Sequence, residues 1–131
     1  MQIAESMLQE VRRLVAEILV LELEEVQPQS LFFSDLDGES IELIELSFHL
    51  DKLYGVRVQF QDLATADYKL DDRGCLTAES LALLKSKYSF LKLDGFETRP
   101  LRRPGDFLTI EAIAGFVQMA LTAKEAPAAT A

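Results

Sequence analysis

The chain has no tryptophan, one cysteine (Cys75) and one histidine (His49). A lone cysteine excludes an internal disulfide and a cysteine-rich zinc site, which suits a reducing compartment. No apolar run approaches the roughly 20 residues a membrane span requires. The first 21 residues carry Glu5, Glu10 and Glu17, where a signal peptide would be uncharged, so a soluble cytoplasmic protein is expected. Positive charge is also scarce. Thirteen Lys and Arg face 22 Asp and Glu, for a net charge of -9, which counts against nucleic acid as a partner, since that binding rests on cations neutralising phosphates. There is no glycine-rich phosphate loop. Ser40 is no plausible hydrolase nucleophile, because Gly38-Glu39-Ser40-Ile41-Glu42 lacks the second glycine of a nucleophile elbow. His49 lies nine residues further on, about 13.5 Å up a helix axis and about 180° around it. No catalytic constellation remains, and a non-enzymatic role is expected.

The 131 residues, 49% of them hydrophobic, suffice for one domain with its own core. Ile3, Met7, Val11, Val15, Ile18 and Leu19 recur at steps of three and four, which predicts an amphipathic helix. Residues 22 to 38 read as a long loop that anchors Leu31, Phe32 and Phe33, with Pro28, Ser34, Asp37 and Gly38 as breakers. A second helix runs from Ser40 to Tyr54 and stops at Gly55, followed by a short extended piece at Val56, Val58 and Phe60. Thr77 caps a further helix spanning about Leu76 to Leu91, and Thr109 caps a last one bearing Ile110, Ile113, Val117 and Leu121. The tail, 125–131, is alanine-rich and expected to be disordered. Acid is concentrated early: residues 1–60 hold 4 Lys and Arg against 12 Asp and Glu, whereas 61–131 hold 9 against 10.

The second helix is unusual when its side chains are placed around the axis at about 100° per residue. With Ile41 at zero, Ile44 and Phe48 fall at about 300° and 340°, while Leu43, Leu46, Leu50, Leu53 and Tyr54 fall between about 120° and 220°. A small helical domain needs one apolar stripe for its core, and the larger is the natural choice. The smaller stripe is either covered by the chain after Gly55 or left open for a partner. Glu42 and Glu45 flank it on one side and Asp51 on the other, so a partner with a basic rim would be suited to it.

Residues 35–46 read Asp-Leu-Asp-Gly-Glu-Ser-Ile-Glu-Leu-Ile-Glu-Leu. This string resembles the phosphopantetheine attachment site of acyl carrier proteins. Glu24-Glu25-Val26, Ser30-Leu31-Phe32 and Asp35-Leu36 before it are similar to the family pattern, as are Leu50, Leu53, Tyr54, Gly55 and Val56 after it. The likeness covers about residues 5–58 and resumes at Thr109 to Leu121. It implies an all-α, acyl-carrier-like four-helix bundle in residues 1–124, with an insertion at about 59–107 that adds a helix. It further implies a covalent 4'-phosphopantetheine on Ser40, drawn from coenzyme A. Asp35, Glu39, Ile41, Glu42, Ile44, Glu45 and Phe48 would be the recognition residues. A phosphopantetheinyl transferase, ketosynthases and acyltransferases would be the partners of a monomeric carrier in fatty acid, polyketide or specialised lipid synthesis. An aminoacyl carrier, or an acidic helical adaptor without a prosthetic group, shares much of the pattern.

The resemblance implies nothing about the insertion. Its Arg99, Arg102 and Arg103 form a basic cluster that suits a solvated turn, the protein's own acidic helix, a phosphate or a lipid surface. Asp35, Asp37 and Gly38 fit three positions of a calcium-binding loop, but Phe33 and Ile44 stand where its first and last ligands belong.

Overall fold

In the computed structural model, residues 3–58, 68–102 and 105–125 are described. They form four α-helices: α1 (Glu5–Leu19), α2 (Ser40–Tyr54), α3 (Ala78–Lys87) and α4 (Ile110–Glu125). A 3-10 turn spans Leu23–Glu25, and the described residues hold two isolated β-bridges and no strand. The all-α class is as expected, with α3 the helix that the insertion adds. Phe60, Arg103 and residues 126–131 of the tail lie outside the described residues.

Helix α1 packs against both α2 and α4. It buries Met7, Val11, Leu14 and Val15, the stripe its periodicity foretells, while Ile3 sits just ahead of its first turn. Its end carries no glycine. Val20 adopts a φ of 57° there, and Leu21 N–H reaches back to the carbonyl of Ala16 at 2.8 Å, closing the last turn. Arg12, on the polar side of α1, donates to the carbonyls of Val26 at 2.6 Å and Leu23 at 3.1 Å. The guanidinium thereby satisfies backbone acceptors of the loop and fixes where it leaves the helix.

That loop is well anchored. Val26, Leu31, Phe32 and Phe33 are buried, and Leu31 bridges Thr109. Phe32 N–H donates to Leu108 O at 3.0 Å, while Ile110 N–H donates to Ser30 O at 3.1 Å. These bonds tie the loop to the start of α4, where Thr109 Oγ1 accepts from Ala112 N–H at 3.0 Å as the expected cap. At the other end, Lys124 Nζ donates to the carbonyl of Gly55, just past α2, at 2.9 Å. Helices α2 and α4 are thus joined at their C-terminal ends by Lys124 and at their N-terminal ends by the loop, so they run in the same direction.

The insertion is folded against this frame. Thr77 caps α3, its Oγ1 accepting from Ser80 N–H at 3.2 Å, as expected. The helix is shorter than its spacing predicts, however, ending at Lys87 instead of Leu91. Tyr88 leaves helical geometry, and the turn that follows carries Phe90 onto α4. There the Phe90 ring meets Phe116 edge to face at 4.9 Å and covers Gly115 so closely that a Cβ would lie 2.4 Å from the ring. The ring needs a glycine beneath it. Leu76, Leu84, Leu91, Leu93, Phe96, Phe107 and Leu108 join α1, α2 and α4 in one continuous buried cluster.

Candidate functional site

Helix α2 begins at Ser40, as its sequence suggests, but Ser40 is not its cap. Glu39 holds that position, and its N–H donates to Glu42 Oε1 at 2.9 Å in a capping-box arrangement. Ser40 is therefore the first helical residue, exposed, and no hydrogen bond engages its hydroxyl among the described residues. A serine that caps has its oxygen occupied; this one presents it to solvent at the positive end of the helix dipole.

The turn before Ser40 is held by a close approach. Gly38 N–H donates to Phe32 O at 2.9 Å, and the Phe32 ring lies where a Cβ on Gly38 would be, 2.3 Å away. Gly38 is required by that contact, while its neighbour Asp37 takes the left-handed conformation with φ of 57°. Asp35 is exposed, and its Oδ2 accepts Leu31 N–H at 2.7 Å. Its carboxylate braces the loop that delivers the serine.

The two stripes of α2 separate as the helical angles suggest. Leu43, Leu46 and Leu50 are buried, whereas Ile41, Ile44 and Phe48 are 71%, 44% and 67% exposed. Among the described residues, the chain after Gly55 leaves the smaller stripe open, which favours the partner-facing reading of the two. Leu53 departs from expectation: it is 50% exposed, because it sits in the final turn at the edge of its stripe, beyond the leucines that α1 covers. Beside the open stripe, Glu45 pairs with His49 at 3.9 Å, and Glu42 is half-buried in the capping bond. His49 is a surface residue.

A cleft of about 430 Å³ opens between the loop before Ser40 and the end of the insertion. Phe33, Ser34 and Asp37 line one side, and Arg99, Arg102 and Asp106 the other. Arg99 Nη2 donates to Ser34 Oγ at 3.1 Å, and its guanidinium lies 5.1 Å from the centre of the Phe96 ring. Asp106 is buried, with Oδ2 accepting Arg102 N–H at 2.7 Å. Sequence spacing marked the arginines as a cluster, but nothing local marks Ser34 as the partner of a residue 65 positions away.

Residues 9–67 match the family described as "Phosphopantetheine attachment site". Among curated relatives, polyketide-8 synthase acyl carrier protein 2 of Streptomyces avermitilis is 37% identical over 57 residues, covering 44% of this chain and 66% of the relative. Meromycolate extension acyl carrier proteins are 28% identical over 60 residues in Mycobacterium leprae, covering 46% of this chain and 52% of that protein. The one in Mycolicibacterium aurum is 33% identical over 51 residues, covering 39% and 53%. The chain thus spans about half of the mycobacterial relatives' length and just under two thirds of the Streptomyces protein. Residues 9–67, with the exposed serine at the head of α2, thus match a phosphopantetheine attachment site and are similar to acyl carrier proteins.

Proposed function

We propose that Ser40 bears the 4'-phosphopantetheine arm and that the protein carries acyl intermediates as thioesters for the enzymes of a polyketide, fatty acid or related lipid synthesis. The observation that carries this reading is the uncommitted, exposed hydroxyl of Ser40, inside the family match and beside an open apolar stripe. The arm supplies a terminal thiol for the acyl group; the chain supplies attachment, position and address. The N-terminus of α2 favours the phosphodiester that joins arm to serine, through its dipole and backbone N–H groups. The polyketide and meromycolate relatives support an acyl over an aminoacyl cargo.

Ile41, Ile44 and Phe48 form the apolar centre of the docking face in this reading, for a phosphopantetheinyl transferase and then for acyl-transferring and condensing enzymes. Glu45 gives that face its charge, which governs encounter rate and orientation more than affinity. Frame and insertion together make one domain, supported by the single buried cluster that both supply.

Incubation with coenzyme A and a phosphopantetheinyl transferase should raise the intact mass of the protein by one arm, and Ser40→Ala should abolish the gain. A wild-type chain that stays at its apo mass would instead favour an adaptor without a prosthetic group. Glu45→Lys should leave unfolding unchanged, because the side chain is 57% exposed, yet slow arm transfer about tenfold at low salt, with the difference shrinking at about 1 M salt.

A further inference from the structure

The cleft beside the attachment loop is not accounted for by the carrier role. Its arginine wall belongs to the insertion, and its opposite wall ends at Asp37, three residues before Ser40 and so at most about 11 Å from it along the chain. The fold brings that wall close by a second route as well. Gly38 is hydrogen-bonded to Phe32, and Phe32 to Leu108, so the chain just ahead of α4 is laced to the turn that precedes the serine. The parallel run of α2 and α4 places both helix starts at the same end of the bundle.

Arg99 is held ready. The Phe96 ring and Ser34 Oγ fix its guanidinium, and among the described residues neither it nor Arg102 has a carboxylate within 4.0 Å. Of the two acids lining the cleft, Asp106 is engaged by the backbone N–H of Arg102. Asp37 stands on the far wall and would turn an anion toward the arginines. Planar guanidinium groups without carboxylate partners suit the oxygens of a phosphate, which they bind through paired N–H donors.

We infer that Arg99 and Arg102 form an anion subsite whose ligand is the phosphodiester linking the arm to Ser40, an inference that rests on the attachment proposed above. A free anion approaches a chain of net charge -9 against its field. A tethered phosphate does not depend on diffusion, because attachment holds it near the cleft at an effective concentration on the order of millimolar. The insertion then gives the arm a second electrostatic anchor besides the helix start, and it biases the first part of the arm toward the cleft and away from the open face of α2.

The test compares apo and holo forms of the full chain by NMR, following the arginine Nε–H signals and the phosphorus signal of the arm, with loading at Ser40 verified by mass. Loading should shift the Arg99 and Arg102 signals. Raising salt from about 0.05 to 1 M, where the screening length falls to roughly 3 Å, should move the phosphorus signal at least about twofold more in the wild type than in Arg102→Gln. Arg102→Lys should restore part of that response. Arg102 is exposed, so its replacement leaves the fold intact. A loaded protein whose arginine signals equal those of the apo form overturns the subsite alone, and a chain that gains no mass overturns the attachment with it. Equal shifts produced by inorganic phosphate on the apo protein, with none on loading, make the cleft a free-phosphate site and also overturn the inference.

Discussion

In α2, Ile41 and Phe48 stand in solvent across from a buried row of leucines. Between residues 68 and 102 the arrangement is reversed: Cys75, Leu76, Leu84, Phe90, Leu91, Leu93 and Phe96 are all buried, and of the large apolar side chains only Leu70 and Leu83 are notably exposed. The frame turns part of its apolar surface outward, while the described residues of the insertion turn nearly all of theirs inward, onto α4 and the loop. Packed this way, residues 68–102 enlarge the core and leave the face of α2 open. Its contribution near Ser40 is polar, through Arg99 and Arg102.

The comparison breaks if the insertion proves dispensable. Phe90→Ala removes a ring packed on Phe116 and Gly115, and should cost about 3–5 kcal/mol in urea unfolding, as for other buried phenylalanines. A loss below about 1 kcal/mol would mean that the frame stands by itself and the insertion is an appendage. The contrast sharpens with two glycines that seat one ring from each region, Phe32 of the frame and Phe90 of the insertion. Gly115→Ala and Gly38→Ala each force a Cβ into a phenylalanine ring, Phe90 or Phe32, and each should cost about 1–3 kcal/mol. Only Gly38→Ala should also slow loading of Ser40 by a transferase, because only that ring sits under the turn delivering the serine. Equal loading rates in the two variants would separate the turn from presentation of the serine.

The smallest effect concerns the turn ahead of α3. Asp71 Oδ1 accepts N–H bonds from Cys75 at 3.0 Å and Arg73 at 2.8 Å. The bond from Cys75, foremost, and the neighbouring Arg73 hold its carboxyl below the usual range despite some desolvation. The folded form thus favours the charged carboxylate. Its contribution is complete above the ordinary carboxylate value of about 3.9 and fades as pH falls through the lower folded value. The Cys75 amide resonance should move in that acid window, and Asp71→Asn should abolish the movement while leaving the α2 signals unaffected.

Much of this was legible in the sequence because local signals and global fold agree there. Gly55 stops α2 where glycine should, with a left-handed φ of 69°. Thr77 and Thr109 cap the helices they precede, and the two stripes of α2 follow from its angles. Where sequence reasoning fell short, the cause was tertiary. Leu91 keeps helical spacing with Leu84, but α3 ends early because Phe90 is drawn to Gly115. That Glu39 caps α2, because Glu42 three residues on reaches back to it, also went unread. The role of Asp35 in bracing the loop, and the pairing of Arg99 with Ser34, depend on a chain path that no short window contains.

The seat of Phe90 on Gly115 has a consequence for anyone who would transplant this insertion to another carrier. The glycine lies outside the segment, in the following helix, so segment and helix form a single unit of inheritance. Moved alone onto a host with alanine or leucine at that place, the segment would meet a closed socket. Moved together with α4, it would bring its own lock.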